Sequence, residues 1–89
     1  MKQEWDKLGY VLAGKYRIQV IKCLYEKPMT PKAISKRTNL YISHVSNTIK
    51  ELMKIDLVKC LTPNLKRGRI YSLTDVGKEV AKELSLFEE

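Results

Sequence analysis

Along this chain apolar residues recur mostly three and four positions apart, the spacing that builds one buried face on a helix. In the first segment, 3–13, Trp5, Leu8 and Leu12 follow that spacing with Val11 beside them. A helix is expected there, breaking near Gly9 or stopping near Gly14. A second helix, 15–27, carries Ile18, Ile21 and Tyr25 as its stripe, widened by Val20 and Leu24. Pro28 ends it, because the residue before a proline is pushed out of helical geometry. Thr30-Pro31 opens a short helix, 31–38, with threonine as the cap and proline where its missing N–H costs nothing. It should bury Ala33 and Ile34, and Asn39 suits the left-handed residue that follows a helix end. The next helix, 42–55, should bury Val45, Ile49, Leu52 and Met53.

After Leu57-Val58 the period shortens. A second strand, Arg69 to Leu73, follows the turn-forming run Pro63-Asn64-Leu65-Lys66-Arg67-Gly68, so 57–73 reads as a hairpin with a basic tip. Thr74 caps a last helix, 75–86, whose Asp75 sits where the helix dipole favours an acid. Gly77 in its first turn costs about 1 kcal/mol of helix propensity against alanine, which points to a neighbouring backbone coming close. Val76, Val80, Leu84 and Phe87 lie on one side of that helix. The predicted fold is mainly α with a small β-hairpin. It is a winged helix-turn-helix in one domain, 1–89, with additional N- and C-terminal helices.

Charge sharpens this picture. The chain carries 17 Lys+Arg against 10 Asp+Glu, a net +7. Lys27 to Lys50 holds five basic residues and no acid, and Leu57 to Thr74 holds four more, again without an acid. These windows sum to +9, which leaves −2 for everything else. The excess therefore sits on the elements that would touch a duplex, and a surface of this kind attracts polyanions. The expected partner is double-stranded DNA.

Other classes find less support. Met1-Lys2-Gln3-Glu4-Trp5-Asp6 has no apolar core behind a basic start, and no apolar run approaches a membrane span, so the default location is the cytoplasm. Cys23 and Cys60 stand far apart without a CxxC or His-x-x-x-His spacing, so no metal site is expected. They read as two small hydrophobes in a reducing compartment, with a redox pair as the alternative. One histidine, with no triad and no phosphate-cradling glycine loop, gives no catalytic constellation and no cofactor site; the chain is not expected to be an enzyme.

The leading end of 42–55 offers Ser43, His44, Ser46, Asn47 and Lys50, short hydrogen-bonding side chains of the kind that major-groove reading needs. Ser43, His44 and Asn47 are expected to read base edges, with Asn47 able to pair bidentately with adenine, while Ser46 and Lys50 hold phosphates. For Asn47 and His44 the competing reading is a solvated helix face. Lys66, Arg67 and Arg69 on the hairpin are expected on the minor groove or the backbone. Arg69, next to the turn glycine Gly68, can instead stiffen the hairpin. Tyr41 and Ile42 are apolar outliers at the start of the reading face, and Tyr41 is expected to pack against helix 31–38. A winged-helix protein-interaction module is the alternative function, but it calls for an apolar or acidic reader face.

Tyr10-Val11-Leu12-Ala13-Gly14-Lys15-Tyr16-Arg17, Thr30-Pro31, Leu40 through Leu52, Leu57-Val58 and Gly68-Arg69-Ile70-Tyr71-Ser72-Leu73-Thr74 running into Gly77 together resemble the short archaeal winged-helix transcriptional regulators of the ArsR/MarR type. The likeness spans nearly the whole chain. It implies a homodimer, a reader helix in the major groove and a wing on the minor groove or phosphates, with contacts carried onto the eight residues named above. Many such regulators have Arg or Gln where Ile42 and Asn47 stand, so base preference is not carried over. The paired cysteines of metal-sensing relatives are missing from helix 42–55. The resemblance specifies neither operator nor effector. A dimer also suits a small domain that is marginal alone, with Trp5, Leu8, Leu12, Val80, Leu84 and Phe87 as surface to spare.

Overall fold

The computed structural model describes residues 2–86, with side chains from Asp6 onward. The expectations placed on the Trp5 side chain and on Phe87 lie outside the described residues. The elements are α1 (Lys2–Leu12), α2 (Lys15–Glu26), α3 (Pro31–Thr38), α4 (Ile42–Lys54), β1 (Val58–Cys60), β2 (Tyr71–Leu73) and α5 (Asp75–Leu86). The fold is a winged helix, mostly helical with one antiparallel hairpin.

Each boundary has a local cause. Lys27 is extended ahead of Pro28, and α2 stops at Glu26. Thr30 accepts the Ala33 N–H on its side-chain oxygen at 3.1 Å and so caps α3. Asn39 takes φ 63° past the end of α3, and its N–H reaches the Ser35 carbonyl at 2.8 Å. The Thr74 hydroxyl does two things: it accepts the Gly77 N–H at 3.0 Å, starting α5, and donates to the Asp56 carbonyl at 2.6 Å. One side chain thereby ties the start of α5 to the turn ahead of β1.

The core is continuous through all five helices and the hairpin. Ile21, Ile34, Val45, Leu52, Leu57 and Val11 are fully enclosed. Truncating a residue such as Ile49 to alanine in such a core typically costs about 2–5 kcal/mol. α2 lies at its centre, packing on α1, α3, α4, α5 and β2.

That central position corrects one expectation. The buried arc of α2 is Val20, Ile21, Cys23 and Leu24, and Tyr25 is left 47% exposed, because partners on several sides pull the arc toward Cys23. On α4 the buried arc is Val45, Thr48, Ile49 and Leu52, while Met53 faces out. Thr48 can take the inner place because its hydroxyl donates to the His44 carbonyl at 2.7 Å. On α1, Leu8 and Val11 are buried and Leu12, at the last turn, is exposed. α1 runs through Gly9 without a break.

The hairpin pairs Val58 with Leu73, Lys59 with Ser72 and Cys60 with Tyr71. The second strand is shorter than Arg69 to Leu73: Arg69 and Ile70 lie outside it. Ile70 instead gives its N–H to the Thr62 hydroxyl at 2.9 Å. Met29 adds a bridge, exchanging both backbone hydrogen bonds with Tyr71 at 3.0 and 2.9 Å, so the wing is anchored to the segment ahead of α3.

Candidate nucleic-acid interface

The turn between α3 and α4 is tied by side chains. Ser35 donates its hydroxyl proton to the Leu40 carbonyl, and Thr38 accepts the Leu40 N–H at 3.3 Å. These bonds aim α4. At its start Tyr41 is extended and offers no side-chain cap, so the first turn keeps free backbone N–H groups.

Along α4 the spacing of 3.6 residues per turn sorts the side chains into three strips. Ser43, Asn47 and Lys50 form the outer strip, and all three are exposed. Ile42, Ser46 and Met53 form one flank; Ser46 is half-buried. His44 and Glu51 form the other flank, facing the start of α2.

His44 is held more firmly than a solvated side chain. Its ring stacks on Tyr16 with centroids 4.9 Å apart and planes at 29°, and Tyr41 meets it edge-on at 5.7 Å. Tyr41 itself does not pack against α3 as expected; it stands 78% exposed, with His44 as its ring partner. Next to this aromatic column, Arg17 makes three contacts. Its Nε lies 3.3 Å from Glu51 Oε1, its Nη1 donates to the Tyr10 carbonyl at 2.7 Å, and its guanidinium carbon sits 3.6 Å over the Tyr10 ring. The single acid of α4 is thus neutralised, and α1, α2 and α4 are joined at one point. An open cleft of about 530 Å³ runs between the start of α2 and α4, lined by Lys15, Tyr16, Arg17, His44, Asn47 and Glu51 among others.

On the wing, Lys66, Arg67 and Arg69 are all exposed. Arg69 differs from the other two: its Nε donates to the Leu65 carbonyl, bracing the loop across the turn at Gly68, whose φ is +66°. Lys27, Lys32 and Lys36 are exposed around α3, while Arg37 is drawn to Glu26 at 2.6 Å. The structure therefore brings Ser43, Asn47 and Lys50 onto one strip, sets His44 and Ser46 on opposite flanks, and separates Lys66 and Arg67 at the wing tip from the braced Arg69. Sequence reading missed Tyr16 and Arg17, whose partners lie on other helices; only the proximity of Lys15-Tyr16-Arg17 to a helix start hinted at them.

Cys23 is buried and Cys60 half-buried, and both are free thiols. Burial pushes the Cys23 thiol above its ordinary pKa, with Arg37 opposing and Glu26 adding to the shift. Among the described residues no group of His, Cys, Asp and Glu comes together in a way that would hold a metal ion. No described helix is long and apolar enough to cross a membrane.

No family model matches the chain, and no curated protein matches it. Solved structures do. Wild-type ZitR of Lactococcus lactis in complex with DNA is 25% identical over 80% of this chain and 49% of that one, with a TM-score of 0.71. The homodimeric winged helix-turn-helix DNA-binding domain Mb0332 of Mycobacterium bovis, a possible ArsR-family transcriptional regulator, is 22% identical over 96% of this chain and 75% of its own, at 0.70. The adhesin competence repressor AdcR of Streptococcus pyogenes is 19% identical over 97% and 71%, at 0.74. The chain spans about half the length of several ZitR chains it resembles, 51% in one of their mutants, and 70% of another mutant chain in apo form. These likenesses establish the winged-helix fold.

Proposed function

We propose that this chain is a non-enzymatic, sequence-specific DNA-binding transcriptional regulator of the ArsR/MarR-like kind, acting as a homodimer. In this reading α4 enters the major groove, where Asn47 and Ser43 read base edges and Lys50 and Ser46 hold phosphates. The tips Lys66 and Arg67 lie on the minor groove or the backbone, with Arg69 keeping the wing in shape. His44 contributes from its aromatic setting. The observation that carries the proposal is the strip Ser43–Asn47–Lys50, exposed and acid-free, on the second helix of a helix-turn-helix whose wing is also basic. The ZitR complex supports it, since a chain of this fold is seen there on DNA. A protein-interaction module would call for an apolar or acidic strip at this place.

The test is selection of bound sequences from random duplex DNA, followed by titration of the selected duplex at several salt concentrations. A two-fold motif should be enriched. With about six to ten phosphates neutralised by a dimer, affinity should fall about 10³- to 10⁵-fold between ~50 and ~200 mM salt. Absence of binding at low salt refutes the proposal.

A further inference from the structure

Two large apolar side chains stand in solvent at the tip of the reader helix. Tyr41 is 78% exposed and Ile42 48%, although every other isoleucine and valine of the helices is buried or half-buried. A lone exposed apolar residue needs no explanation. Here two adjacent ones occupy the start of the helix that would enter the groove, inside a window without acids. In that exposed position Tyr41 keeps a T-shaped contact with the His44 ring, which Tyr16 backs in turn. Ile42 lies in the first turn of α4, where recognition helices meet base edges. By helical spacing it shares its flank with Ser46, beside the strip of Ser43 and Asn47.

The major groove offers one apolar group for such a side chain, the C5-methyl of thymine. Exposed aliphatic carbon therefore has a chemically defined partner at this position. We infer that Ile42 is a specificity-determining residue that packs on thymine methyl groups, with Tyr41 closing the contact at the backbone side. The inference rests on the DNA-binding reading and adds to it a preference that hydrogen-bonding side chains do not supply. Asn47 selects adenine through its N6 and N7; Ile42 selects thymine over cytosine through a methyl group alone.

Deoxyuridine removes only that methyl and keeps every hydrogen-bonding group. The probe is the duplex selected from the random pool, together with copies in which single thymines are replaced by deoxyuridine. For the native protein, one replacement in each half-site should weaken binding about fifteenfold, about fourfold for each methyl-sized group lost from contact. Ile42→Ala, which removes the contact from both half-sites, should bind the parent duplex about fifteenfold more weakly and bind parent and deoxyuridine copies equally. Asn47→Ala should keep the full thymine-to-uracil ratio, which separates the methyl contact from general damage to the reader. Equal binding of the native protein to all copies overturns the inference and leaves the regulator reading standing. So does an Ile42→Ala variant that still distinguishes thymine from uracil, or a selected site without thymine under the reader. Failure to bind any duplex removes the regulator reading itself, and this inference with it.

Discussion

Arg17 Nε lies 3.3 Å from Glu51 Oε1, so a residue at the start of α2 neutralises the one acid on the helix that carries the candidate reading strip. The pair is partly exposed, and its direct worth to stability is small. Its consequence lies elsewhere: without Arg17, Glu51 would turn a negative charge toward the phosphates flanking the groove. Arg17→Ala should weaken duplex binding about fivefold, the effect of roughly 1 kcal/mol between charges ~4 Å apart in water. Arg17→Ala combined with Glu51→Gln should recover most of that loss in fluorescence anisotropy. A double variant as weak as the single one would show that Arg17 acts through its other contacts, the Tyr10 carbonyl and ring.

Gly77 and Gly9 make an opposed pair. A Cβ at Gly77 would run into the Leu57 carbonyl oxygen, whose place is fixed by the Thr74 N–H at 3.0 Å. Gly77→Ala should therefore destabilise by about 1–3 kcal/mol despite alanine's better helix propensity. At Gly9, in the interior of α1, a Cβ meets nothing within 4 Å. Gly9→Ala should stabilise by about 0.5–1 kcal/mol. Urea denaturation checks both signs, and stabilisation at both positions would mean that propensity alone decides.

Much of this architecture was legible in the chain. Thr30-Pro31, Asn39, Pro28 and Thr74 act locally, through caps and restricted dihedrals, and the helices begin and end at them. The close backbone at Gly77 was legible for the same reason: a glycine in a first helical turn has a cost that calls for a packing cause. What the pattern could not give was anything set by several elements at once. Tyr25 and Met53 fall on plausible stripes, yet the buried arcs of α2 and α4 are rotated past them by the packing of other helices. The Met29 bridge to Tyr71, the Tyr16–His44 stack and the Arg17–Glu51 pair join residues far apart in sequence, and spacing carries no trace of them.

Reader and wing should separate by substitution. Asn47→Ala removes a side chain on the exposed strip of α4 and should relax preference at one base by about 1–3 kcal/mol. Arg67→Ala removes an exposed charge at the wing tip and should weaken binding to most duplexes alike, with a shallower salt slope. Arg69→Ala should act through shape, because the Nε bond to the Leu65 carbonyl is lost. Equal losses for Asn47→Ala and Arg67→Ala on every probe would refute this division.

The two thiols should differ in reactivity. Cys60 is half-buried at the end of β1, whereas Cys23 is enclosed and its pKa is raised, chiefly by burial. A thiol-specific reagent at pH ~8 should label Cys60 first and reach Cys23 at the rate of unfolding. The sign of the pH effect follows from the same shift. The unfolded chain gives up the Cys23 proton before the folded one does, so this residue's contribution to stability is present at neutral pH and declines as pH rises through the ordinary cysteine range. Rapid labelling of Cys23 in the native protein would contradict its enclosure.

A homodimer would draw on fewer of the residues expected for it: Leu12 is exposed, Leu8, Val80 and Leu84 are not, and the Trp5 side chain and Phe87 lie outside the described residues. Leu8, Val80 and Leu84 are almost fully enclosed within the protomer, so truncation after Ala81 would remove Leu84 from the core and damage the fold along with any interface. Among the described side chains of the terminal helices and α2, Leu86 at the end of α5 is 72% exposed, Tyr25 on α2 47% and Leu12 at the end of α1 41%. Tyr25 lines a shallow cleft with Lys22, Ala81 and Leu84, between α2 and α5. If two copies pair through this side, the terminal helices set the two reader helices about one DNA turn apart, ~34 Å. A glutamate in place of Tyr25 or Leu86 would then place a charge in an apolar contact without disturbing the core. Sedimentation at micromolar concentration should give roughly twice the chain mass for the native protein. Tyr25→Glu and Leu86→Glu should shift it toward the monomer, with an unchanged helical circular-dichroism spectrum and weaker binding to the two-fold duplex. A native chain that sediments as a monomer, or variants that stay dimeric, would place the interface on another face and remove the reason to expect half-sites one turn apart.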